Sequence, residues 1–410
     1  METKKQATAR RVIYIAILVV ASLPLACGYV MEGGDILLWL ARVEEVKDNL
    51  QARYFLLYPS SELIVAYEGQ FSALNSNLWL LIPAIIRILG GSITTSYRLY
   101  LLFLNMITML TVHKMFGEIF EKKVPVLFGV LFYMTCPYRI YICYDKANLG
   151  MVAAWTLIPL VVGGMVRLFR TSITWKNVVM IAVAFAAVGY ADGILLLFLS
   201  GIIILGVIWY RKPQGLIPLV SGLILYLPGA TCWLSYLMVG GMEEWNLPIR
   251  SIAGQGYALG QFFSTWTYRL GCPGLGLGLM CGLAFYIWPW LAENSFYMKS
   301  HYTFFTFVMC FLALLSLECF PWDMVQRLGT PFLRLVSLME TQGFCFGFTS
   351  LAACVPAACG VERMIKHQRY EGMVGVALAV VFAAIGVAIY ICNSLTYYRV
   401  PMFLTEFLPM

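Results

Sequence analysis

The sequence predicts an all-α polytopic membrane protein, a bundle of about eleven transmembrane helices with a structured first outer loop. Hydrophobic residues make up 61% of the 410-residue chain and charged residues only 12%, which is about half the charged fraction of an average soluble domain. Apolar runs near the bilayer-spanning length of roughly 20 residues recur along the whole chain. Basic residues are also distributed unevenly between the connecting segments, as in membrane proteins with a fixed orientation.

The composition excludes several other classes of protein. A transmembrane barrel would need apolar residues that alternate with period two, and the chain shows no such alternation. The net charge of +7 follows from helix orientation in a membrane, so we expect no nucleic-acid partner. The twelve cysteines form no C-x-x-C pair and only three histidines occur. A zinc site or a disulfide framework is therefore not expected.

Hydropathy predicts eleven spans whose boundaries are good to a few residues. They are 12–30, 95–116, 124–142, 151–169, 174–191, 193–210, 214–236, 270–290, 301–318, 342–360 and 372–393. The first span follows four basic residues and resembles a signal peptide. Pro24 stands where a lipoprotein cleavage signal needs an aliphatic residue, and the apolar stretch continues to Val30. We therefore expect a helix that is retained.

The basic residues predict a cytoplasmic N-terminus and an outer C-terminus. With this orientation the inner side carries 16 basic and 6 acidic residues, and the outer side carries 12 basic and 15 acidic residues. Such an excess of positive charge inside is typical of membrane proteins with this orientation. The inner connections hold Lys114, Lys122, Lys123, Arg167, Arg170, Lys176, Arg211, Lys212, Lys299, Arg363, Lys366 and Arg369.

The apolar segment Leu78–Leu89 is too short to span a bilayer. Counting it as a span would also place the cluster Lys114–Lys123 outside. We therefore predict a helix that lies at the outer surface. Its Arg87 is expected to snorkel toward water, with phosphate binding as an open alternative.

Three predicted outer regions are too long to be simple connections, and we expect structure in each. They are 31–94, with its juxtamembrane helices, 237–269 and 319–341. The whole chain is interpreted as one integral membrane domain. The first region contains seven acidic residues between 31 and 84, so it is the most promising place for chemistry.

An amphipathic helix is predicted at 35–51, after Gly33-Gly34. One face is apolar and suits the membrane surface or the helix at 78–89; it consists of Ile36, Leu40, Val43, Val46 and Leu50. The other face is expected to look into a cavity; it consists of Asp35, Trp39, Arg42, Glu45 and Asp48. For Glu44, Glu45 and Asp48 we favour a solvated helix face.

Asp35 has two interpretations that are compatible with each other. An aspartate after Gly-Gly is a common N-cap, because its carboxylate accepts hydrogen bonds from the first backbone amides of a helix. A carboxylate on the outer face can also act as a general base.

Further candidates lie at the outer end of the third span. Asp145 and Lys146 are predicted to face the same compartment as Asp35, where they can bind a phosphate or a sugar; an interfacial ion pair is the alternative. Arg139 lies in the outer half of the membrane, where an arginine is costly enough to need a partner.

The order and spacing of several short motifs resemble those of YfhO-like bacterial membrane proteins. The motifs are Gly34-Asp35-Ile36, Arg42-Val43-Glu44, Lys47-Asp48-Asn49-Leu50, Ile82-Pro83-Ala84, Cys136-Pro137-Tyr138-Arg139, Gly150 and Pro159-Leu160-Val161. The resemblance covers about 12–170 and is faint later in the chain.

The resemblance implies the type C glycosyltransferase (GT-C) fold. It also implies transfer of a sugar from a polyprenyl-phosphate carrier to an envelope glycan or polymer on the outer face of a bacterial plasma membrane. Asp35 would then be the catalytic residue, acting as general base or orienting the acceptor or a metal. No cofactor is certain, and a divalent metal ion stays open. The implied substrate-binding residues are Arg42, Glu44, Arg139, Asp145 and Lys146.

Several positions depart from the pattern of the family. A histidine is replaced by Trp39, an arginine by Tyr58, an acidic residue by Asn77, an arginine by Lys146 and a glutamate by Met151. The alternative to an enzyme is therefore a degenerate GT-C relative that serves as a non-enzymatic membrane subunit. Transport of a carrier lipid or a glycan is a further alternative, although few charges lie inside the predicted spans.

Overall fold

A computed structural model describes most of the chain in separate segments. They are 4–26, 29–30, 36–58, 75–171, 173–238, 256–263, 273–293, 300–322, 341–367, 377–378, 380–388 and 400–401. Asp35 lies outside these residues, as do most of the predicted outer regions 237–269 and 319–341. The structure therefore does not test the predictions made for those positions.

The described residues are almost entirely helical. In chain order the helices are α1 Lys4–Ser22, α2 Ile36–Gln51, α3 Leu81–Ile88, α4 Ile93–Ile119, α5 Lys123–Met134, α6 Pro137–Ile140, α7 Leu149–Arg170, α8 Trp175–Ala191, α9 Gly193–Tyr210, α10 Leu216–Met238, α11 Leu259–Phe262, α12 Leu277–Glu293, α13 Ser300–Ser316 and α14 Thr341–His367. Shorter turns are the 3₁₀ segments Leu23–Ala26, Asn77–Leu80 and Pro213–Gly215 and the π-helix Tyr141–Asp145. Residues 380–388 are also helical, and β1 Tyr29–Val30 pairs antiparallel with β2 Val400–Pro401.

Six described helical segments are long and apolar enough to cross a membrane, or seven if the broken pair formed by α5 and the segment Pro137–Asp145 counts as one span. The six are Thr8–Ala26, Ile93–Ile119, Leu149–Arg170, Gly193–Tyr210, Pro213–Ala230 and Gly343–Ile365. The protein is therefore a multi-pass helical membrane protein, as predicted. Each of the eleven predicted spans overlaps helical residues, but the number of spans remains a prediction.

Proline explains two boundaries. The predicted first span, 12–30, is shifted, because α1 begins at Lys4 and ends at Ser22 before the 3₁₀ turn that contains Pro24. Proline cannot donate a backbone hydrogen bond and its ring clashes with the preceding turn. The break between α5 and α6 likewise falls before Pro137, because the residue that precedes a proline disfavours the helical conformation.

The chain folds into two compact units, each built from separate stretches of the sequence. The first unit contains 1–20, 116–140 and 245–390, and the second contains 21–115, 141–244 and 391–410. In the first unit α5, α12 and α13 pack against α14. The most apolar 18-residue stretch of α14 is entirely buried. A Cβ on Gly360 would collide with the carbonyl oxygen of Gly282, so α12 and α14 lie in close backbone contact.

In the second unit α8 packs against both α7 and α10. Helices α4 and α7 also approach closely, because a Cβ on Gly163 would lie 2.7 Å from the Cα of Met115. Near that contact the hydroxyls of Thr108 and Thr156 are 2.9 Å apart. Small and hydroxylated residues at helix contacts are typical of membrane proteins.

Candidate functional site

Helix α2 is confirmed by the structure, and it begins at the residue that follows Asp35. It packs against α3 and the 3₁₀ turn Asn77–Leu80, as the apolar stripe predicted. The prediction that its other face looks into a cavity is wrong for two residues. Trp39 is 1% exposed and Arg42 is fully buried, because the segment 75–80 and the start of α7 cover that face.

The buried guanidinium of Arg42 is held by the segment that precedes α3. Nη2 donates to the carbonyl oxygen of Asn75 at 2.6 Å and to Oδ1 of Asn77 at 2.7 Å. Nε also lies 3.3 Å from Oδ1 of Asn77, and the guanidinium carbon is 4.5 Å from the ring centroid of Trp39. A buried cation needs such hydrogen bonds to offset its desolvation. Arg42 therefore fixes the 75–77 segment against α2.

Trp39 connects α2 to the start of α7. A Cβ on Gly150 would lie 2.9 Å from the ring of Trp39 and 2.7 Å from the carbonyl oxygen of Ala191. Only glycine leaves room for both neighbours at this position. The 75–77 segment is tied to the same end of α8, because the amide of Ser76 donates to the carbonyl oxygen of Tyr190 at 3.2 Å.

Glu44 points away from Arg42 and forms a separate cluster of charges. It accepts from Nε and Nη2 of Arg87, the latter at 3.2 Å, and from Nζ of Lys47 at 2.6 Å. Its side chain is only 9% exposed, so the predicted solvated face is wrong for Glu44. It is correct for Asp48, whose side chain is 56% exposed. Arg87 joins α3 to α2, which corrects the expectation that it snorkels.

The ion pairs decide the pKa of Glu44. Burial raises the pKa of this carboxyl group, but the hydrogen bonds and charges of Arg87 and Lys47 outweigh burial and hold the pKa below its usual value. The carboxylate in turn raises the pKa of Lys47, with Asp48 contributing. Both groups therefore stay charged at neutral pH, and the cluster is a stable link between α2 and α3.

Asp145 is the last residue of the π-helix, and Lys146 begins the turn that leads to α7. Both side chains are partly exposed, and the carboxyl group of Asp145 has no charged or hydrogen-bonding partner among the described residues. The next residue, Ala147, has a φ of +51°, a conformation that costs energy for a residue with a Cβ. Asn148 then caps α7 by accepting from the amide of Met151 at 2.9 Å. Strained turns and π-helical segments are frequent at functional sites.

Tyr144, which precedes this turn, is held in place by two hydrogen bonds of its hydroxyl group. Its hydroxyl donates to the carbonyl oxygen of Ala21 at 2.7 Å and accepts from Nδ2 of Asn105 at 2.9 Å. Both contacts are buried. The neighbouring carboxyl of Asp145 and amine of Lys146 are thus carried on a fixed backbone, as a preorganised site requires.

Arg139 belongs to the first unit. It lies in α6, is 5% exposed, and its guanidinium carbon is 5.8 Å from the ring centroid of Tyr133. The aromatic ring provides part of the compensation that an arginine at this depth was expected to need.

Four of the predicted site residues lie in the second unit, with Arg42 and Glu44 on α2 and Asp145 and Lys146 before α7. The ring of Trp39 packs on Gly150, which follows Lys146 by four residues in the sequence. Arg42 lies one helical turn after Trp39, whereas Glu44 faces α3. Sequence patterns did not identify Asn75 and Asn77 as partners of Arg42. The i, i+3 spacing of Trp39 and Arg42 was the available signal for their contact.

The part of the chain that the structure describes contains no evident metal site. No cluster of three or more histidine, cysteine, aspartate or glutamate residues occurs there. Tyr58, which stands where the family pattern has an arginine, donates to the carbonyl oxygen of Gly229 at 2.7 Å.

Two solved structures of an archaeal enzyme resemble this chain. The oligosaccharyltransferase AglB from Archaeoglobus fulgidus, in complex with an inhibitory peptide and a dolichol-phosphate, matches with a TM-score of 0.54 and 11% identity, over 94% of this chain and 56% of that chain. A crystal structure of the Archaeoglobus fulgidus oligosaccharyltransferase in the apo form matches with a TM-score of 0.46 and 13% identity, over 96% of this chain and 55% of that chain. This second likeness is too weak to carry an argument.

The first likeness shows the fold. AglB is a GT-C membrane glycosyltransferase, so the chain has a GT-C-like helical fold, as predicted. It spans about half the length of the solved structures that it matches. The sequence matches no protein-family model and no curated protein, so the predicted YfhO-like family stays a prediction.

Proposed function

We propose that this protein is a membrane glycosyltransferase that takes a sugar from a polyprenyl-phosphate carrier and transfers it to an envelope glycan or polymer outside the plasma membrane. The observation that carries the proposal is the GT-C-like fold over 94% of the chain. AglB was solved with a dolichol-phosphate, which is a carrier lipid of the same chemical class. A fold alone does not define an activity, so the proposal also needs residues for the chemistry.

Asp35 is the proposed catalytic residue. It directly precedes α2, and Arg42 and Glu44 fix that helix in the second unit. A carboxylate at this position can accept the proton of the acceptor hydroxyl as the sugar is transferred, or can orient the acceptor. The same position would also make it an N-cap, and the two roles are compatible.

The leaving phosphate of the carrier needs a cation. Lys146 is the proposed phosphate ligand, because it is partly exposed in the turn before α7, and Trp39 of α2 packs on Gly150 in the first turn of α7. Asp145, its neighbour, is proposed to bind the sugar or the acceptor through its partly exposed carboxyl group. Arg139 remains a proposed substrate-binding residue of the first unit.

Arg42 and Glu44 are proposed as positioning residues instead of direct substrate ligands. Arg42 is fully buried and its donors engage Asn75 and Asn77. Glu44 is closed off by Arg87 and Lys47. Direct binding to a substrate would require these contacts to break, at a cost of several kcal/mol for buried charges.

A second candidate function is a non-catalytic GT-C subunit that binds a carrier lipid without transferring the sugar. The observation that favours it is the contact between Arg42 and Asn77, because the family pattern has an acidic residue at 77 and this chain has a neutral amide there. The buried Met151 likewise stands where the family pattern has a glutamate.

Identification of the co-purifying lipid tests the proposal. The protein is purified in mild detergent and its bound lipids are identified by mass spectrometry, with Lys146→Gln as the site variant and Lys123→Gln as a control that removes an exposed lysine of the first unit. We expect a polyprenyl phosphate, bare or glycosylated, in the wild type and in the control, and about tenfold less of it in Lys146→Gln. Recovery of bulk phospholipids alone would contradict the proposal.

Transfer distinguishes the enzyme from the inactive subunit. In proteoliposomes that contain the identified carrier with its sugar and an envelope extract as acceptor, the wild type should release the sugar and Asp35→Asn should not. Equal carrier binding with no transfer by the wild type would favour the subunit.

A further inference from the structure

Four helix ends meet at one end of the second unit: the C-termini of α7 and α9 and the N-termini of α8 and α10. Nζ of Lys212 donates to the carbonyl oxygen of Phe169 at 2.5 Å, and Nε2 of Gln214 donates to that of Leu168 at 3.2 Å. The rings of Phe169 and Tyr210 stack with centroids 4.8 Å apart. These contacts bring the last turns of α7 and α9 to the start of α10.

Five basic residues lie at these helix ends, and we name this group the basic end: Arg167, Arg170, Lys176, Arg211 and Lys212. Four of them are exposed and Lys212 is partly buried. Between 149 and 238 the sequence has a single acidic residue, Asp192, which caps the opposite end of α9. The 18 residues of α9 correspond to about 27 Å at 1.5 Å per residue. The only carboxylate in the sequence between 149 and 238 therefore lies far from the basic end.

Local helix stability does not explain two of these cations. Lys176 lies in the first turn of α8, where the positive end of the helix dipole disfavours a cation. Arg211 caps α9 with a φ of +53°, a left-handed conformation in which glycine or asparagine would be less strained. The basic end thus concentrates positive charge at a cost in local stability.

The basic end also lies where a bilayer surface is expected. Leu149–Arg170, Gly193–Tyr210 and Pro213–Ala230 are membrane-capable segments, and each has one end in this group. Trp175 beside it is 73% exposed and Trp209 is 38% exposed, as is typical of aromatic residues at a membrane interface. The anions that are most concentrated at such a surface are lipid headgroups.

We propose that the basic end is a binding site for anionic phospholipid headgroups, in which the phosphodiester of a lipid with net negative charge contacts Arg167, Arg170 and Lys176. The site is at the end of α8 opposite to Trp39 and Gly150, so it is distinct from the proposed transfer site and does not depend on sugar transfer. Clusters of several cations beside a span are typical binding sites for anionic lipids. Orientation of the protein during insertion, which requires only charge and no bound lipid, is the competing explanation.

Native mass spectrometry on the purified full chain tests the site. Phosphatidylglycerol and phosphatidylcholine with the same acyl chains are titrated into the wild type and the double variant Arg167→Gln/Arg170→Gln. We expect the wild type to bind phosphatidylglycerol about tenfold more tightly than phosphatidylcholine, and the double variant to lose at least about fivefold of the phosphatidylglycerol affinity. The preference should weaken as salt is raised, because salt screens exposed charges.

Two matched variants separate a site from bulk charge. Arg167→Lys/Arg170→Lys keeps the charge and should keep most of the preference, and Arg10→Gln/Arg11→Gln removes two arginines elsewhere and should leave it unchanged. Equal affinity for the two lipids would overturn the proposal, as would an equal loss in Arg10→Gln/Arg11→Gln. Displacement of the lipid by millimolar inorganic phosphate would also overturn it, in favour of a soluble phosphate ligand.

Thermal unfolding in a zwitterionic detergent checks that each variant is folded. If the double variant fails this check, Lys176→Gln replaces it, because Lys176 is exposed and its removal relieves an unfavourable interaction with the dipole of α8.

Discussion

Charged side chains near the two ends of α8 differ in their burial. At the C-terminal end, beside α2, Arg42 is enclosed by Asn75, Asn77 and the ring of Trp39. At the N-terminal end, Lys176 and its basic neighbours are exposed, and no carboxylate lies among them in the stretch 149–238. With 17 residues in α8, the two ends are about 25 Å apart.

The difference separates charges that hold the structure from charges that are available to a ligand. A buried charge is tolerated only if its partners are complete, so removing it damages the fold. An exposed group of like charges contributes little to the fold, and removing one member changes binding more than stability. The variants below test this distinction, from the largest expected effect to the smallest.

Arg42→Ala should cause the largest loss of stability. The substitution leaves buried acceptors of Asn75 and Asn77 without their donor and opens a cavity under Trp39. We expect a loss of about 2–4 kcal/mol, measured as a lower midpoint of thermal unfolding in detergent by tryptophan fluorescence. Arg42→Lys keeps the charge but not the planar donor geometry, so it should fall between the wild type and Arg42→Ala. An unchanged unfolding midpoint in Arg42→Ala would contradict the claim that the buried charge of Arg42 stabilises the fold.

Gly150→Ala should be the next most damaging change. The new Cβ would meet the carbonyl oxygen of Ala191 and the ring of Trp39, so α2, α7 or α8 must shift. Overpacking of this kind costs about 1–3 kcal/mol. Gly201→Ala in α9 is the matched control, because a Cβ there meets nothing within 4 Å. Comparable melting of the two variants would contradict the packing of Trp39 on α7.

Glu44→Gln should cost about 1–3 kcal/mol at neutral pH, because Arg87 and Lys47 lose a partly buried counter-charge. The folded-state pKa of Glu44 is lowered, so its contribution to stability is present above the unfolded-state value and is lost as pH falls through the folded-state value. The difference in unfolding midpoint between wild type and variant should therefore be constant above about pH 5 and shrink in acid. Asp48→Asn, at an exposed carboxylate, should cost less than about 1 kcal/mol. If the stability difference between wild type and Glu44→Gln grew as the pH fell, the lowered pKa of Glu44 would be contradicted.

Lys176→Gln should have the smallest effect on stability, within about 0.5 kcal/mol of the wild type in zwitterionic detergent. The side chain is exposed and lies at the unfavourable end of the helix dipole, so a slight gain is the expected direction. Differential scanning fluorimetry beside Arg42→Ala makes the comparison direct. A loss as large as that of Arg42→Ala would mean that the basic end also holds the structure.

Local patterns predicted the helices well, and they failed where a partner lies far along the chain. The apolar stripe from Ile36 to Leu50 predicted α2 and its packing against α3. The solvated face was wrong for Glu44 because its partner Arg87 lies 43 positions later, which helical periodicity cannot reveal. Asn77 was recognised only as a departure from a family pattern, although it is the main hydrogen-bond partner of the side chain of Arg42.

The basic end shows the same limit in another form. Its residues were visible in the sequence as connections with positive charge, and they predicted the orientation of the chain. These residues form one surface because of contacts between distant parts of the chain. Lys212 and Phe169, for example, are 43 positions apart in the sequence. The role of Asp35 stays a prediction, because the described part of α2 begins at Ile36.

The central claim, that the chain is a glycosyltransferase with Asp35 as its catalytic residue, is tested most directly in a deletion strain of the source organism. The strain is complemented with wild type, Asp35→Asn or an empty vector, and the sugars of the cell envelope are quantified together with the amount of protein in the membrane. Asparagine keeps the size and much of the capping ability of aspartate, so both proteins should accumulate equally. We predict that only the wild type restores the missing sugar. Equal restoration by Asp35→Asn would contradict the catalytic role, and an unchanged envelope in the deletion strain would contradict the transferase itself.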